Sequence, residues 1–370
     1  MQAPVSDAGA IVWASSLHTV CAQGMVEVAK ELLQYCEQNR GLQQQRDGLP
    51  LLAWAFESPN RATHVALIDC FRRCSTQNRN GLNAGGWAAI HLAAKAADAE
   101  LVKLLVECGV DAWRLGGAGN SGRGQTVFHV LAAVGDGERD AARSIARYLI
   151  KTLQPSAEVL CLLTDYPTHP HKVSAIGLSL LNRDGQMARL LAAAGGRLQP
   201  DELDNDEIDQ TILVNFLVGY PGLAELLQEE EDFINIPHIA VSGEHTPQHL
   251  QLLSKCLASK HILTPIPTLA YTHPITSLTP LYKTPFHLAI QNGYDEAVRM
   301  LLGVPAVKEQ IKADQMDERR ALIFALHFGR RSTAELLLYY GPTSPLQILE
   351  SVRGQLDAGD GLLLQIEVSD

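Results

Sequence analysis

An all-α solenoid of about nine degenerate helix-pair repeats is the fold class that this 370-residue sequence predicts. Three observations carry the prediction. A five-residue motif with histidine in one slot recurs as SSLHT at Ser15–Thr19, AAIHL at Ala88–Leu92, TVFHV at Thr126–Val130, TPQHL at Thr246–Leu250 and TPFHL at Thr284–Leu288. With that slot as register, nine units centre on His18, Leu52, His91, His129, Gly177, Val214, His249, His287 and Ile323, in steps of 34 to 48 residues. The pairs Leu32-Leu33, Leu190-Leu191, Leu226-Leu227 and Leu337-Leu338 then fall 12 to 15 residues after the slot. Self-similarity at such a period marks stacked units, each burying its apolar face against its neighbours.

Each element follows from local chemistry. In the unit at Lys283–Gly303, the Thr284 hydroxyl caps a helix and Pro285 sits where a missing N–H costs nothing. His287, Leu288 and Ala289 begin a short helix, Gly293 with Tyr294 makes the turn, and Leu301-Leu302 lie on the buried face of a second helix. Gly109 and Gly303 suit left-handed helix stops. Ala93 and Ala94 let neighbouring helices approach closely. VEVAKELLQYC is the second helix of the first unit, and residues 48–56 and 63–71 supply the helices of the second. A Gly-rich finger runs from Asp111 to Gly124, and an extra helical turn with an irregular loop is expected in the 48-residue step after His129. TPQHLQLLSKCL opens the seventh unit, which has no visible second helix. Pro265, Pro267, Pro274 and Pro280 forbid a continuous helix in the stretch that follows. The expected organisation is an N-terminal repeat array over 1–260, a Pro/Thr-rich insertion at 261–281, further repeats at 282–342, and a capping helix and tail at 343–370.

Gly85–Gly109 and Lys283–Gly303 resemble the ankyrin repeat, whose first helix opens with Thr-Pro-Leu-His, and the resemblance extends over roughly residues 10–342. It implies ankyrin-like units with finger loops along one edge. It also implies structural roles for His18, His91, His129, His249 and His287, each bonding within its own turn and to neighbouring backbone. The slot departs from the family at Leu52, Gly177, Val214 and Ile323. Apolar side chains there can be buried without a partner.

Charge is distributed unevenly. Between Leu198 and Ser254 there is no Lys or Arg, while twelve acids are present, Asp201, Glu202, Asp204, Asp206, Glu207 and Asp209 foremost. The chain's net charge is −11, so removing these twelve leaves +1 elsewhere. In the family the segment before a helix pair projects as a β-turn finger, so the 201–209 acids should line one rim. Such a surface repels phosphates, which argues against a nucleic-acid partner. No apolar stretch approaches 18 residues, which argues against a membrane span. Seven cysteines without framework spacing, and a start lacking a basic cluster, lead us to expect a cytoplasmic protein. Translocation into a host cell is the alternative.

Catalytic signals are few. G-A-G-N-S-G at Gly117–Gly122 matches a dinucleotide fingerprint by letter but lies in a finger, without the βαβ context that the motif needs. Asp204, Asp206 and Asp209 begin like a calcium loop yet lack its Gly and closing Glu. Cys70, Cys74 and His64 lack further zinc ligands at usable spacing, and His169 and His171 flank Pro170 in a loop. We therefore expect no enzyme activity, cofactor or metal site. Trp87 and Trp113, at the fingers, and Tyr282 are candidate partner anchors beside the acids. The function implied by the resemblance is a protein-interaction scaffold whose partner is another protein with a basic face. Its rivals are a translocated bacterial effector, a toxin-neutralising immunity protein, and an enzyme built in the insertions at 155–172 or 231–281.

Overall fold

A computed structural model describes residues 19–20, 23–38, 64–65, 68, 80–83, 85–117, 124–165, 172–203, 207–229, 233, 235–243, 245–264, 266–267, 282–313, 321–322, 325–326 and 328–340. The chain divides into two compact units, Met1–Ile212 and Leu213–Asp370. The fold class is all-α, as expected, with strands confined to short hairpins among the described residues.

In the first unit, α1 (Val26–Gln38) precedes three helix pairs. These are α2 (Ala89–Lys95) with α3 (Ala99–Glu107), α4 (Val127–Ala132) with α5 (Arg139–Leu153), and α7 (Ala175–Leu181) with α8 (Gly185–Ala193). A single-turn helix, α6 (Ala157–Leu160), follows the second pair, and another, α9 (Pro200–Leu203), follows the third. First helices pack in a row, α2 on α4 on α7, and second helices pack in a parallel row, α3 on α5 on α8. Small side chains permit this: Ala89, Ala93 and Ala94 in α2 and Ala142 and Ala146 in α5 are buried, interleaved with Leu101, Leu105, Ile145 and Leu149. The turns within the first and third of these pairs use a left-handed residue, Ala97 (φ 49°) and Arg183 (φ 58°), where glycine would be less strained. Aspartate caps the next helix in both cases, with Asp98 accepting from Leu101 N and Asp184 from Met187 N.

Fingers precede the first helices. Gly116 and Gln125 bridge before α4, and the strands β1 (Thr164–Asp165) and β2 (Lys172–Val173) pair antiparallel before α7. The long step after His129 therefore holds the expected extra turn, α6, but a paired hairpin stands where an irregular loop was expected. Backbone pairing satisfies N–H and C=O groups that an irregular loop would leave to water.

The next helix, α10 (Gln210–Val218), crosses the boundary between the two units. The second unit continues with α11 (Leu223–Glu229), α12 (Ile236–Ile239), α13 (Pro247–Cys256) and a 3-10 turn at Lys260–Leu263. A hairpin of β3 (Ile266–Pro267) and β4 (Tyr282–Lys283) leads into α14 (Pro285–Asn292), α15 (Asp295–Leu302), α16 (Pro305–Ala313) and α17 (Arg331–Tyr340). Leu301 and Leu302 are buried as expected. Gly109 is left-handed (φ 79°), but Gly303 is right-handed (φ −69°) because the chain turns directly into another helix at Pro305. In α17 Leu336 is buried, with Leu337 and Leu338 only half-buried.

The register of the seventh repeat is corrected. Its TPQHL motif opens α13, which packs on α12 and on the second helix α15, while α12 packs on the first helix α14. The TPQHL helix is therefore the second of its pair, and α12 is the first. Hydrogen bonds agree: Asn292 Nδ2 at the end of α14 donates to the Val241 carbonyl just beyond α12 (2.9 Å), as Asn182 Nδ2 at the end of α7 donates to the Ala132 carbonyl of α4 (2.9 Å). The slot of this repeat belongs to His238, third residue of α12, in the sequence N-I-P-H-I-A. A Thr-x-x-His cap is a local helix-start device that works on either helix of a pair, so its letters alone do not fix the register.

Candidate functional site

In each unit the histidine slots begin with capping chemistry. In α4 the Thr126 backbone N–H donates to His129 Nδ1 (3.3 Å), and the Thr126 hydroxyl lies 2.8 Å from the same nitrogen. Thr284 and His287 repeat this arrangement at 3.4 and 2.8 Å, and Thr246 Oγ1 lies 2.7 Å from His249 Nδ1. A backbone N–H can only donate, so Nδ1 is the acceptor and the ring proton of His129 and His287 resides on Nε2. In α2 that outer nitrogen faces the next finger: His91 Nε2 lies 3.2 Å from the Gln125 carbonyl. The imidazole thus ties a helix start to the neighbouring finger. Burial lowers both His91 and His129 from 6.5 to about 4, although hydrogen bonding to neighbouring backbone pulls the other way. His18 lies outside the described residues.

The base of the finger before α4 is packed against its neighbours. The Gly117 N–H donates to the Gly86 carbonyl (2.7 Å), and Gly116 and Gln125 exchange backbone hydrogen bonds at 3.0 and 2.6 Å. A Cβ at Gly116 would stand 2.8 Å from His91 Nδ1, and one at Gly117, already left-handed at φ 66°, would collide with the Trp87 ring. The first glycine of the G-A-G-N-S-G run thus allows close packing against Trp87, and residues 118–123 lie outside the described set. Trp87 is half-buried, with its ring 5.7 Å from that of His91. Trp113, also half-buried, stacks on Phe128 at 5.7 Å, and its backbone N–H donates to the Asp111 carboxylate (2.9 Å). Both indoles cover the bases of fingers while keeping part of their surface open.

The acids do not form one uniform rim. Asp201 and Glu207 are exposed. Asp209 is partly exposed and caps α10 through Thr211 N (3.0 Å) and Ile212 N (3.3 Å), with Arg183 3.9 Å away. Asp204 and Asp206 lie outside the described residues. Glu202 corrects the surface reading: it is 3% exposed, accepts backbone hydrogen bonds from Ser174 and Gln199, and lies behind the rim. Burial raises its carboxyl above the usual value. The segment bearing these residues begins as the helical turn α9, where a β-turn finger was expected; the Gln199 N–H, capped by Glu202, starts the turn. Tyr282 lies in β4 by its backbone.

His261 is buried in the 3-10 turn, its backbone N–H donating to the Ser259 hydroxyl oxygen (3.1 Å), while His273, His169, His171, Cys70 and Cys74 lie outside the described residues. Burial pushes the Cys256 thiol up to about 12 and keeps it protonated. Among the described residues no three His, Cys, Asp or Glu side chains gather where a metal ion could bind, and no helix is long and apolar enough to cross a membrane. Sequence reasoning missed the stack of His245 on Tyr294, with centroids 4.0 Å apart and planes within 2°, because those residues are 49 positions apart with no shared motif.

Comparison with protein families agrees with this construction. A model of ankyrin repeats in three copies matches residues 17–115, and a model of the single ankyrin repeat matches residues 282–308. Ankyrin repeats are general protein-interaction modules, and proteins built from them are typically non-enzymatic binding scaffolds. No curated protein matches the chain.

Proposed function

We propose that this ankyrin-repeat protein is a scaffold that recognises a partner protein with a basic face. The observation that carries the reading is the run from Leu198 to Ser254, twelve acids without one Lys or Arg, in which Asp201, Glu207 and Glu225 are exposed. Packed repeats hold their fingers before binding, so little ordering entropy is lost on association. The acids attract a basic surface at a distance and speed encounter more than they deepen affinity. Trp87 and Trp113, open on part of their surface, supply apolar contact.

The test compares the intact chain with Asp201→Lys/Glu207→Lys as bait, then follows association of the captured partner from low to physiological ionic strength. The reversed chain should lose the partner, and the wild-type association rate should fall steeply with salt. A rate that stays flat with salt sinks the acidic-rim reading.

A further inference from the structure

Gly177 occupies the slot that His129 and His287 hold in their repeats, third residue of a first helix behind a hydroxyl cap. In those repeats the ring Nδ1 accepts the backbone N–H of the cap residue, Thr126 or Thr284. The corresponding N–H of Ser174 has no imidazole to meet it, and Ser174 is fully buried. An unpaired buried N–H is costly and rare. The partner comes from 28 residues downstream: Glu202 Oε1 accepts from Ser174 N at 2.7 Å, while its Oε2 accepts from Gln199 N at 2.9 Å. A side chain at position 177 and the Glu202 carboxylate exclude each other, since a Cβ on Gly177 would overlap that carboxylate. The departure at the slot and the inward turn of one acid are thus the same event.

We infer that Glu202 is a positioning residue that replaces the missing histidine across the repeat boundary. It seats Pro200–Leu203 on the preceding repeat, and so turns Asp201 and Glu207 outward. The role of the outward acids rests on the proposed basic partner, whereas the seating does not. One carboxylate serves two backbone donors, so its removal frees the finger and the cap together. Leu203, buried beside it, supplies the apolar part of the seat.

Amide hydrogen exchange of the full chain tests this without a partner. Glu202→Ala should speed exchange at Ser174 and Gln199 by roughly tenfold to a hundredfold, as expected for a lost buried hydrogen bond, and leave Arg139–Leu153 unchanged. Glu202→Met keeps the volume and should behave like Glu202→Ala. Gly177→His alone should loosen both sites by collision. The double variant Gly177→His/Glu202→Ala should restore slow exchange at Ser174 but not at Gln199, because an imidazole at 177 serves only the first donor. If Glu202→Ala loses protection throughout, Glu202→Gln replaces it, and one of the two amides should remain slow. Unchanged Ser174 exchange in Glu202→Ala, full protection in Glu202→Met, or no rescue by the histidine overturns the inference. Loss of salt-dependent association in the bait experiment, with this exchange pattern intact, would overturn only the partner reading.

Discussion

Asp184 caps α8 with one carboxylate oxygen, accepting from Met187 N at 2.9 Å, and holds Arg143 of the preceding repeat with the other at 3.1 Å. The carboxylate is 6% exposed and the guanidinium 14%, and the same guanidinium also reaches Asp140 and Gln186. One side chain therefore links a turn within a repeat to the packing between repeats. Asp184→Ala should cost roughly 2–4 kcal/mol, combining a lost cap with the loss of the buried carboxylate that pairs with Arg143. Asp184→Asn keeps the cap and should cost about half as much. Denaturant unfolding of both variants checks the order; an Asp184→Asn chain as stable as wild type would mean the inter-repeat link contributes nothing, and equal losses would mean the cap contributes nothing.

Acid should weaken the protein in a defined window. His91 and His129 are lowered to about 4, so the unfolded chain binds more protons than the folded one between about 6.5 and about 4. Their contribution is complete above 6.5 and is lost as pH falls through the folded value, up to roughly 3 kcal/mol for each. Glu202 acts with the opposite sign. Its raised carboxyl, with Asp201 adding to the upward shift, contributes stability present below the ordinary carboxylate range and lost as pH rises through the folded value. Unfolding midpoints of wild type, His129→Gln and Glu202→Gln between pH 4 and 7 separate the two. The His129→Gln chain should show the shallower acid loss, and the advantage of wild type over Glu202→Gln should be larger at pH 4 than at pH 7.

Ala88 stands where Thr126 and Thr284 cap their helices, and it offers His91 no hydroxyl. Ala88→Thr should place one there and stabilise the chain by about 1 kcal/mol. Thr126, the equivalent residue, carries its hydroxyl while equally buried in its own repeat. A lower melting temperature in the variant would show that the α2 site is closed to the hydroxyl.

Leu301 is fully buried in the second helix of its pair, whereas Asp201 is exposed. Leu301→Ala should cost roughly 2–5 kcal/mol and Asp201→Ala under about 0.5 kcal/mol. Equal effects in urea unfolding would contradict the placement of the core.

Much of the fold was legible because the repeat's signals are local. The Thr-Pro-Phe-His start at Thr284 and the Gly293 turn involve residues three to ten positions apart, and each specifies its own geometry. The same locality misled the reading at Thr246, where a genuine cap begins a second helix. The signal that would have found the true first helix, N-I-P-H-I-A around His238, lay 11 residues upstream. Of the candidate partner surface, Trp87 and Trp113 are half-buried at finger bases, and Asp201 and Glu207 are exposed. Glu202 is not, and nothing in a run of acids distinguishes the one that turns inward.

By itself the sequence determined that helices would start, stop and pair, because caps, left-handed turns and apolar faces act over a few residues. It also determined where negative charge would concentrate. Only the tertiary structure decided which helix of a pair α13 would be, which hairpins would close, and that Glu202 would fill the space left by Gly177. Those outcomes depend on groups tens of residues apart competing for the same buried N–H or packing face, a competition settled only when neighbouring repeats meet.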